Sequence, residues 1–348
     1  MAIKVLVVDD SALIRSILAE IINSQSDLEL VGAAPNAYVA RDLVNQTAPD
    51  IITLDIEMPK MDGLTFLDKL MRARPTPVVM ISTLTEQGAD ATLKALELGA
   101  VDFIAKPKLG IADGMQEYKQ LILQKIRLAA NAKVGRKQPS LKKKFKPLAL
   151  KTTEKIIAIG ASTGGTEAIK ALLLPLPADS PGMVITQHMP PGFTTSFAKR
   201  LDSLCQINVS EAQGGERILP GHAYLAPGNL HLQVVRNGAN YVIELNDKAR
   251  VSGHKPSVDV MFHSLAESAG ANVAAVLMTG MGKDGARGLL EIKNTGGYTL
   301  VQDEESCVVF GMPKEAIRLS AQTKIAPLHK LSSELVTYLR SVNAGTRL

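Results

Sequence analysis

The chain has 348 residues, which is long enough for two domains, and 46% of them are apolar, which gives each domain material for a buried core. Its apolar runs are too short to span a bilayer, and Asp9 and Asp10 interrupt the amino terminus before a signal-peptide core could form. We therefore expect a cytoplasmic protein with no membrane insertion. The two cysteines, Cys205 and Cys307, provide neither a disulfide framework nor a paired metal site.

The net charge of +5 is concentrated in one segment of the chain. Residues 133–155 contain nine Lys or Arg and one acidic residue, Glu154, so this segment carries +8 and the remainder about −3. A slightly acidic remainder does not favour nucleic-acid binding. Because it contains Pro139 and Pro147 and little periodicity, the segment is interpreted as an exposed linker; docking to an acidic partner or a membrane surface is the alternative. We expect domains at 1–122 and 154–348, with a basic linker at 123–153.

The first domain alternates short apolar runs with segments of helical periodicity, which predicts βα units repeated around a parallel sheet. Each run ends on polar or charged side chains, and the carboxyl ends of parallel strands meet at one edge of the sheet. The runs are Ile3 to Val8 before Asp9 and Asp10, Ile51 to Leu54 before Asp55, Val78 to Ile81 before Ser82 and Thr83, and Val101 to Ala105 before Lys106.

Three carboxylates, a pair of hydroxyls and one lysine are therefore expected to converge at that edge. Carboxylates this close repel one another unless a cation joins them. A hard divalent ion that keeps some of its waters suits a set of oxygen ligands, which points to Mg²⁺, and a phosphoryl group would complete its coordination. A single acid after a strand is usually a turn or cap residue, but that explanation does not account for all of these positions in register.

Residues 1 to about 122 resemble the receiver domain of two-component response regulators, through the segments VLVVDDSALIR, LDIEMPKMDGL, PVVMIST and GAVDFIAKP. The resemblance implies a flavodoxin-like, doubly wound fold that is phosphorylated by a chemotaxis histidine kinase. It also implies a cis peptide before Pro107. The implied roles are Asp55 as phosphoacceptor, Asp9, Asp10, Asp55 and the backbone carbonyl of Glu57 as Mg²⁺ ligands, Ser82 as switch hydroxyl, Phe103 as aromatic switch, and Lys106 as phosphate clamp.

The second domain is organised around residues 156–166, IIAIGASTGGT. An apolar β-branched run breaks at Gly160, presents Ser162 and passes through two glycines into a helical pattern, which predicts a strand, a sharp turn and a helix. The segment GASTG fits the G-x-S-x-G spacing, in which flanking glycines permit the strained backbone that exposes a nucleophilic serine. A glycine-rich phosphate loop or a plain tight turn is the alternative for so short a pattern.

Two further residues follow predicted parallel strands of this domain. His188 follows the apolar run Met183 to Gln187, and Asp284 lies in a glycine-rich loop after the run Asn272 to Thr279. The carboxyl edge of one sheet would bring both residues beside Ser162. Ser162 would then be a nucleophile, His188 the base that takes its proton, and Asp284 the carboxylate that orients the base. The order Ser, His, Asp differs from the Ser, acid, His order of the α/β-hydrolase elbow fold, so the expected sheet is a different one.

The other histidines are interpreted as ordinary surface or core residues. They lie in a turn, in strand or helix patterns, or outside any glycine loop, and they are His222, His231, His254, His263 and His329. Residues 223–245, with Asn237-Gly238 between alternating apolar positions, predict an antiparallel hairpin appended to the parallel core.

Residues 154 to about 344 resemble the catalytic domain of chemotaxis protein-glutamate methylesterases, through GASTGGTEAI, QHMPPGFTTSFAKRL, AYLAPG, KPSVDVMF, VLMTGMGKDGARGL and FGMPKEAI. The resemblance implies catalysis by Ser162, His188 and Asp284, with the Met281 amide as an oxyanion donor and Thr163 beside the nucleophile. The implied substrates are glutamate methyl esters on chemoreceptor cytoplasmic helices, with deamidation of receptor glutamines as a second activity. Ester hydrolysis would need no metal. The implied control is by the receiver, whose phosphorylation would open access to Ser162.

Two other output classes are disfavoured by the sequence. A transcriptional regulator would carry a helix-turn-helix output of about 70 to 100 residues, and this output is roughly twice as long and rich in strands. A nucleotide-binding output would need G-x-x-x-x-G-K-[ST] or G-x-G-x-x-G, and GASTGG supplies neither. The predicted class is therefore α/β, with two doubly wound parallel-sheet domains, the second carrying a hairpin.

Overall fold

The structure, a computed structural model, describes residues 2–83, 85–106, 115–132, 134, 145–149 and 155–344. The chain divides into two compact units, Met1–Pro139 and Ser140–Leu348. Residues 133, 135–144 and 150–153 of the predicted basic linker lie outside the described residues, as does Pro107 with its expected cis peptide. None of the helices in the described part is both long and apolar enough to cross a membrane.

The first unit is a five-stranded sheet in the order β2-β1-β3-β4-β5, with every pair parallel. This is the flavodoxin-like order of a doubly wound fold. Its strands are β1 (Ile3–Val8), β2 (Leu28–Ala34), β3 (Ile51–Asp55), β4 (Val78–Ser82) and β5 (Asp102–Ala105), and its helices are α1 (Ala12–Asn23), α2 (Ala37–Thr47), α3 (Gly63–Ala73), α4 (Glu86–Leu98) and α5 (Met115–Ala130).

Local sequence signals set where four of these helices begin. Each starts after a residue whose side chain accepts a backbone N–H of the first turn, which satisfies one of the unpaired donors there. The capping residues are Ser11, Asn36, Asp62 and Thr85. The helix α5 continues to Ala130, eight residues past the predicted domain end at residue 122, so the first part of the predicted linker is helical. The domain boundaries otherwise stay a prediction.

The second unit is a seven-stranded parallel sheet in the order β14-β13-β12-β6-β7-β9-β8. Its strands are β6 (Ile156–Ala161), β7 (Gly182–Gln187), β8 (Asn208–Glu211), β9 (His222–Leu225), β12 (Val273–Leu277), β13 (Tyr298–Gln302) and β14 (Lys324–Ala326). Its helices are α6 (Gly165–Leu173), α7 (Phe193–Leu204), α8 (Val258–Ser268), α9 (Ala286–Asn294), α10 (Met312–Arg318) and α11 (Leu328–Ala344). The predicted class of two doubly wound parallel-sheet domains is confirmed.

The strand order reverses at β6. From β6 the chain builds the sheet outward through β7, then returns to the other side of β6 with β12. All residues of β6, β7 and β12 are buried, which explains why these strands are apolar except for Thr186 and Gln187 at the end of β7. In open parallel sheets the crevice at such a reversal, beyond the carboxyl ends of the strands, is where ligands bind.

An antiparallel hairpin is present but shorter than predicted. Its strands are β10 (His231–Asn237) and β11 (Asn240–Asn246), which form a two-stranded antiparallel sheet, and β11 also makes an isolated antiparallel bridge from Val242 to Arg217. The residues Ala223–Leu225 of the predicted hairpin belong instead to β9, which pairs in parallel with β7. The hairpin packs on α8 through buried Leu232, Val234 and Ile243.

Candidate active site and phosphoacceptor site

Ser162 lies in the turn between β6 and α6, and glycines on both sides are required there. Gly164 adopts a left-handed conformation with φ of 76°, and a Cβ on it would lie 2.6 Å from Cβ of Val308. A Cβ on Gly160 would lie 2.3 Å from Cγ1 of Val258. Gly164 is therefore required by both its backbone conformation and its packing, and Gly160 by its packing alone.

We expect Gly164→Ala to lower the free energy of unfolding by about 2–4 kcal/mol, because it combines left-handed strain with a clash against Val308. The matched control is Gly215→Ala, where φ is 90° but nothing lies within 4 Å of the added Cβ. The control should lose only about 1–2 kcal/mol. Urea denaturation measures both, and equal losses would contradict the packing argument.

Buried polar side chains hold this turn. Gln187 Nε2 donates to the carbonyls of Ser162 at 2.9 Å and His188 at 3.3 Å, so one amide group links the two functional positions. Thr279 Oγ1 donates to the carbonyl of Thr163 at 3.0 Å, and the Thr279 carbonyl accepts the Ser162 N–H at 3.0 Å. The turn is therefore fixed from β7 on one side and from the end of β12 on the other.

Ser162, His188 and Asp284 form a continuous hydrogen-bonded chain. His188 Nδ1 lies 3.1 Å from Ser162 Oγ, and its Nε2 lies 2.8 Å from Asp284 Oδ2. Because a carboxylate only accepts, the proton of the neutral imidazole sits on Nε2, and the lone pair of Nδ1 faces the hydroxyl. The geometry therefore presents His188 as a base toward Ser162.

Asp284 is held in its charged form at the start of α8. Burial opposes the charge, but hydrogen bonds from His188, Ser257 and Val258 outweigh it and lower the pKa of this carboxyl. Ser257 Oγ donates to Oδ1 at 2.7 Å, and the N–H groups of Val258 and Asp259 donate to Oδ2 and Oδ1 at 2.7 and 3.1 Å. A helix N-terminus favours negative charge in the same way.

The pKa of the neighbouring carboxyl, Asp259, is shifted in the opposite direction. Burial, and then the charge of Asp284, raise the pKa of Asp259 to about 6, although the Gly288 N–H donates to its Oδ1 at 2.9 Å. Of the two adjacent carboxyls, the one bonded to His188 is therefore the stronger acid.

Met281 follows a glycine that packs against Ser162. A Cβ on the preceding Gly280 would lie 2.8 Å from Cβ of Ser162, so the two backbones are in close contact. Within the described residues, the Met281 N–H meets no acceptor. The role of the Met281 N–H as an oxyanion donor stays a prediction.

The predicted acidic site of the first unit is also assembled. Asp9, Asp10 and Asp55 each place a carboxylate oxygen within 4.8 Å of the others. Lys106 Nζ lies 2.8 Å from Asp55 Oδ2 and 3.2 Å from Asp9 Oδ2. Burial, followed by the charge of Asp9, raises the pKa of Asp55 to about 6, although Lys106 opposes the shift.

The donor set fits a hard divalent cation. It consists of carboxylate oxygens from three aspartates that lie close together, which are the ligands such an ion prefers. Glu57 follows closely, and its N–H donates to Asp55 Oδ1 at 3.4 Å; the proposed coordination through its carbonyl stays a prediction.

The predicted switch residues lie on β4 and β5. The Ser82 hydroxyl donates to the Gly88 carbonyl of α4 at 3.1 Å. Phe103 is buried with Lys125 Nζ 5.2 Å from its ring centroid, and Lys125 also contacts the carboxylate of Asp102.

Three residues at the active site were given no role by the sequence reasoning. Gln187 holds the turn, Ser257 holds Asp284, and the His254 ring stacks on the His188 ring with centroids 3.7 Å apart. Gln187 carried a detectable signal, since it is a polar residue that ends a buried strand next to a predicted base. The other two lie on a loop whose path the sequence pattern does not define.

Comparison with known families covers both units. Residues 157–335 match the model of the family described as CheB methylesterase, and residues 5–112 match the response regulator receiver domain. The chain belongs to the CheB methylesterase family. Its first unit is a receiver domain.

Relatives of this family are similar over the full length. A protein of Pseudomonas aeruginosa named protein-glutamate methylesterase/protein-glutamine glutaminase 2 is 62% identical over 351 residues, covering 100% of both chains. A protein of Thiobacillus denitrificans named protein-glutamate methylesterase/protein-glutamine glutaminase is 60% identical over 97% of each chain. The crystal structure of the Thermotoga maritima CheB methylesterase catalytic domain is 38% identical with a TM-score of 0.53, and the match covers 54% of this chain and 100% of that one.

Proposed function

We propose that this chain hydrolyses methyl esters of glutamate side chains on chemoreceptor cytoplasmic helices, releasing methanol for chemotactic adaptation. The observation that carries the proposal is the hydrogen-bonded chain from Ser162 Oγ through His188 to Asp284. The names of full-length relatives support the ester substrate.

The first step forms an acyl-enzyme on Ser162. His188 Nδ1 takes the hydroxyl proton as Oγ attacks the ester carbonyl carbon, and Asp284 stabilises the imidazolium through Nε2. The negative charge that develops on the carbonyl oxygen is stabilised by the Met281 N–H and the N–H of Thr163, which follows the nucleophile in the turn before α6. His188 then returns the proton to the methoxy oxygen as the C–O bond breaks, and methanol leaves.

The second step restores the enzyme. His188 Nδ1 takes a proton from water, whose oxygen attacks the acyl carbon, and the tetrahedral intermediate collapses with return of that proton to Ser162 Oγ. The product is the glutamate carboxylate. A receptor glutamine follows the same route with ammonia as leaving group, so deamidation is the second activity proposed for this site.

The receiver would regulate this hydrolysis by phosphorylation of Asp55 by a chemotaxis histidine kinase. Asp9, Asp10 and Asp55 would hold Mg²⁺ with the Glu57 carbonyl, and the ion would supply charge neutralisation at the phosphoryl group. Lys106 is positioned to contact the added phosphoryl oxygens, and Ser82 would leave the Gly88 carbonyl to do the same. Phe103, which is buried on β5, is the proposed aromatic switch.

The direct test of the proposed function is methanol release from a methyl-esterified chemoreceptor cytoplasmic fragment. The parent protein should release methanol and leave one new carboxylate per methanol. A fragment carrying glutamine at the same positions tests deamidation by ammonia release. Absence of both products with the parent protein would overturn the proposed function.

Asp55→Ala should abolish stimulation of hydrolysis by a small phosphodonor and leave the unstimulated rate unchanged, because it removes the acceptor carboxylate of the other unit. Asp68→Ala, which removes a half-buried carboxylate that pairs with Arg72 on α3, is the matched control and should be stimulated like the parent. Methanol release with and without phosphodonor measures both. Chelating Mg²⁺ should likewise abolish stimulation of the parent protein by the phosphodonor. Stimulation that survives in Asp55→Ala would refute the assignment of Asp55 as phosphoacceptor.

A further inference from the structure

His254 lies against the face of the proposed base. Its ring is stacked on the His188 ring with centroids 3.7 Å apart and an angle of 11° between the planes. The two nitrogens of His188 are already engaged, at its edges, by Ser162 and Asp284. These two hydrogen bonds fix the axis through Nδ1 and Nε2, but the imidazole ring can still rotate about that axis. A flat group against one face opposes this motion.

Backbone hydrogen bonds and a tight turn define the conformation of the loop that carries His254. Val251 and His254 exchange both backbone hydrogen bonds, at 3.0 and 2.9 Å, across a two-residue turn. The turn residues Ser252 and Gly253 have φ of 53° and 81°, which is the left-handed pair that a type I′ turn requires. The turn therefore presents His254 at a defined position.

Buried His231 ties the two arms of this loop together. Its Nε2 lies 3.0 Å from the Ala249 carbonyl, and its Nδ1 lies 3.2 Å from the Ser257 nitrogen. Since a carbonyl accepts and a backbone N–H donates, the neutral Nε2–H form of His231 satisfies both contacts. Lys255 adds an ion pair with Asp247 near the base of the loop.

The same loop thus reaches two members of the proposed triad. Its end, Ser257, donates to Asp284 Oδ1 at 2.7 Å, while its tip places an imidazole on His188. We infer that His254 is a positioning residue, which keeps the His188 ring in the plane that joins Ser162 to Asp284. The hydrogen bonds of His231 to both arms of the loop hold His254 in place. This inference rests on the proposed hydrolysis by Ser162.

The test compares a ring with an aliphatic side chain at this position. His254→Leu should lower kcat about tenfold with KM unchanged, because stacking and alignment are lost while the substrate's binding contacts remain. His254→Phe keeps a flat ring and should recover kcat to within about twofold of the parent. The substrate is a helical peptide that carries a glutamate γ-methyl ester.

A second readout separates positioning from general packing. The proton shared by His188 Nε2 and Asp284 should give a sharp downfield NMR signal in the parent and in His254→Phe, and a broadened one in His254→Leu. His222→Leu is the matched control, since it removes a half-buried histidine at the start of β9, the opposite end of the strands from the site, and it should leave kcat and this signal unchanged. His254→Asn replaces His254→Leu if that variant does not fold.

Parental kcat in His254→Leu, or equal losses in the Leu and Phe variants, would overturn the positioning role. Both outcomes require an active parent and an inactive Ser162→Ala variant in the same assay. An inactive parent would instead contradict the proposed function, so the two failures are distinguishable.

Discussion

Replacing Ser162 by Ala should lower kcat for ester hydrolysis by about 10⁴-fold or more. The variant removes the atom that attacks the carbonyl, and no other hydroxyl is hydrogen-bonded to His188 among the described residues. His188→Ala should cause a loss of the same order, because an unassisted serine is a weak nucleophile at neutral pH. The measurement is single-turnover and steady-state methanol release.

Two controls make this result specific to the proposed mechanism. Ser332→Ala removes another buried serine hydroxyl, which donates to the Leu172 carbonyl at 2.9 Å, and should affect stability without affecting kcat. The double variant of Ser162 and His188 should be no slower than either single variant, since the two residues act as one unit. Near-parental turnover in Ser162→Ala would rule out the nucleophile assignment.

The positions of the proposed catalytic residues were predictable because they follow from strand ends. Ser162, His188 and Asp284 come after β6, β7 and β12, and these three strands are adjacent in the sheet. The sequence predicts that such residues meet, since parallel strands share a carboxyl edge. The same reasoning places Asp9, Asp55 and Lys106 of the receiver together.

Other features depend on long-range packing that periodicity does not report. Ala223–Leu225 alternates like the following hairpin, but it pairs with β7 because buried parallel pairing satisfies its backbone on both sides through β8 and β7. His254 and Ser257 lie on a loop that His231, buried at the start of β10, contacts at Ala249 and Ser257. Neither contact has a short sequence spacing, so residue pattern alone does not predict them.

The location of the site also accounts for the unusual order of its residues along the chain. The strand order reverses between β6 and β12, so a residue after β12 returns to the side of Ser162 late in the sequence. The carboxylate therefore follows the histidine here, in contrast to the elbow fold in which the acid precedes it. What this arrangement shares with serine hydrolases is the geometry of donor and acceptor, not the order of the residues along the chain.

Asp284→Asn should lower kcat about 10³- to 10⁴-fold with little change in KM, for a reason visible in the contacts of this carboxylate. Four donors contact the Asp284 carboxylate among the described residues, which are His188 Nε2 and the Val258 N–H at Oδ2, and Ser257 Oγ and the Asp259 N–H at Oδ1. An amide brings an NH₂ group, and either orientation places it against at least one backbone N–H.

The two orientations impair catalysis in different ways. With the NH₂ group toward His188, the imidazole must carry its proton on Nδ1, which then points at Ser162 and cannot accept the hydroxyl proton. With the NH₂ group toward Asp259, the tautomer is retained, but the charge that stabilises the imidazolium is lost. Backbone oxyanion donors remain in both cases, so the activity should fall without vanishing.

Asp259→Asn is the matched control for this prediction. Asp259 is the adjacent carboxyl, its Oδ1 accepts the Gly288 N–H at 2.9 Å, and an amide oxygen can accept the same bond. Its kcat should therefore stay close to the parental value. Equal losses in the two variants, measured by methanol release from the esterified fragment, would show that the effect comes from disturbing the start of α8 and not from the contact with His188. A large loss confined to Asp284→Asn would assign it to the tautomer and charge of the base.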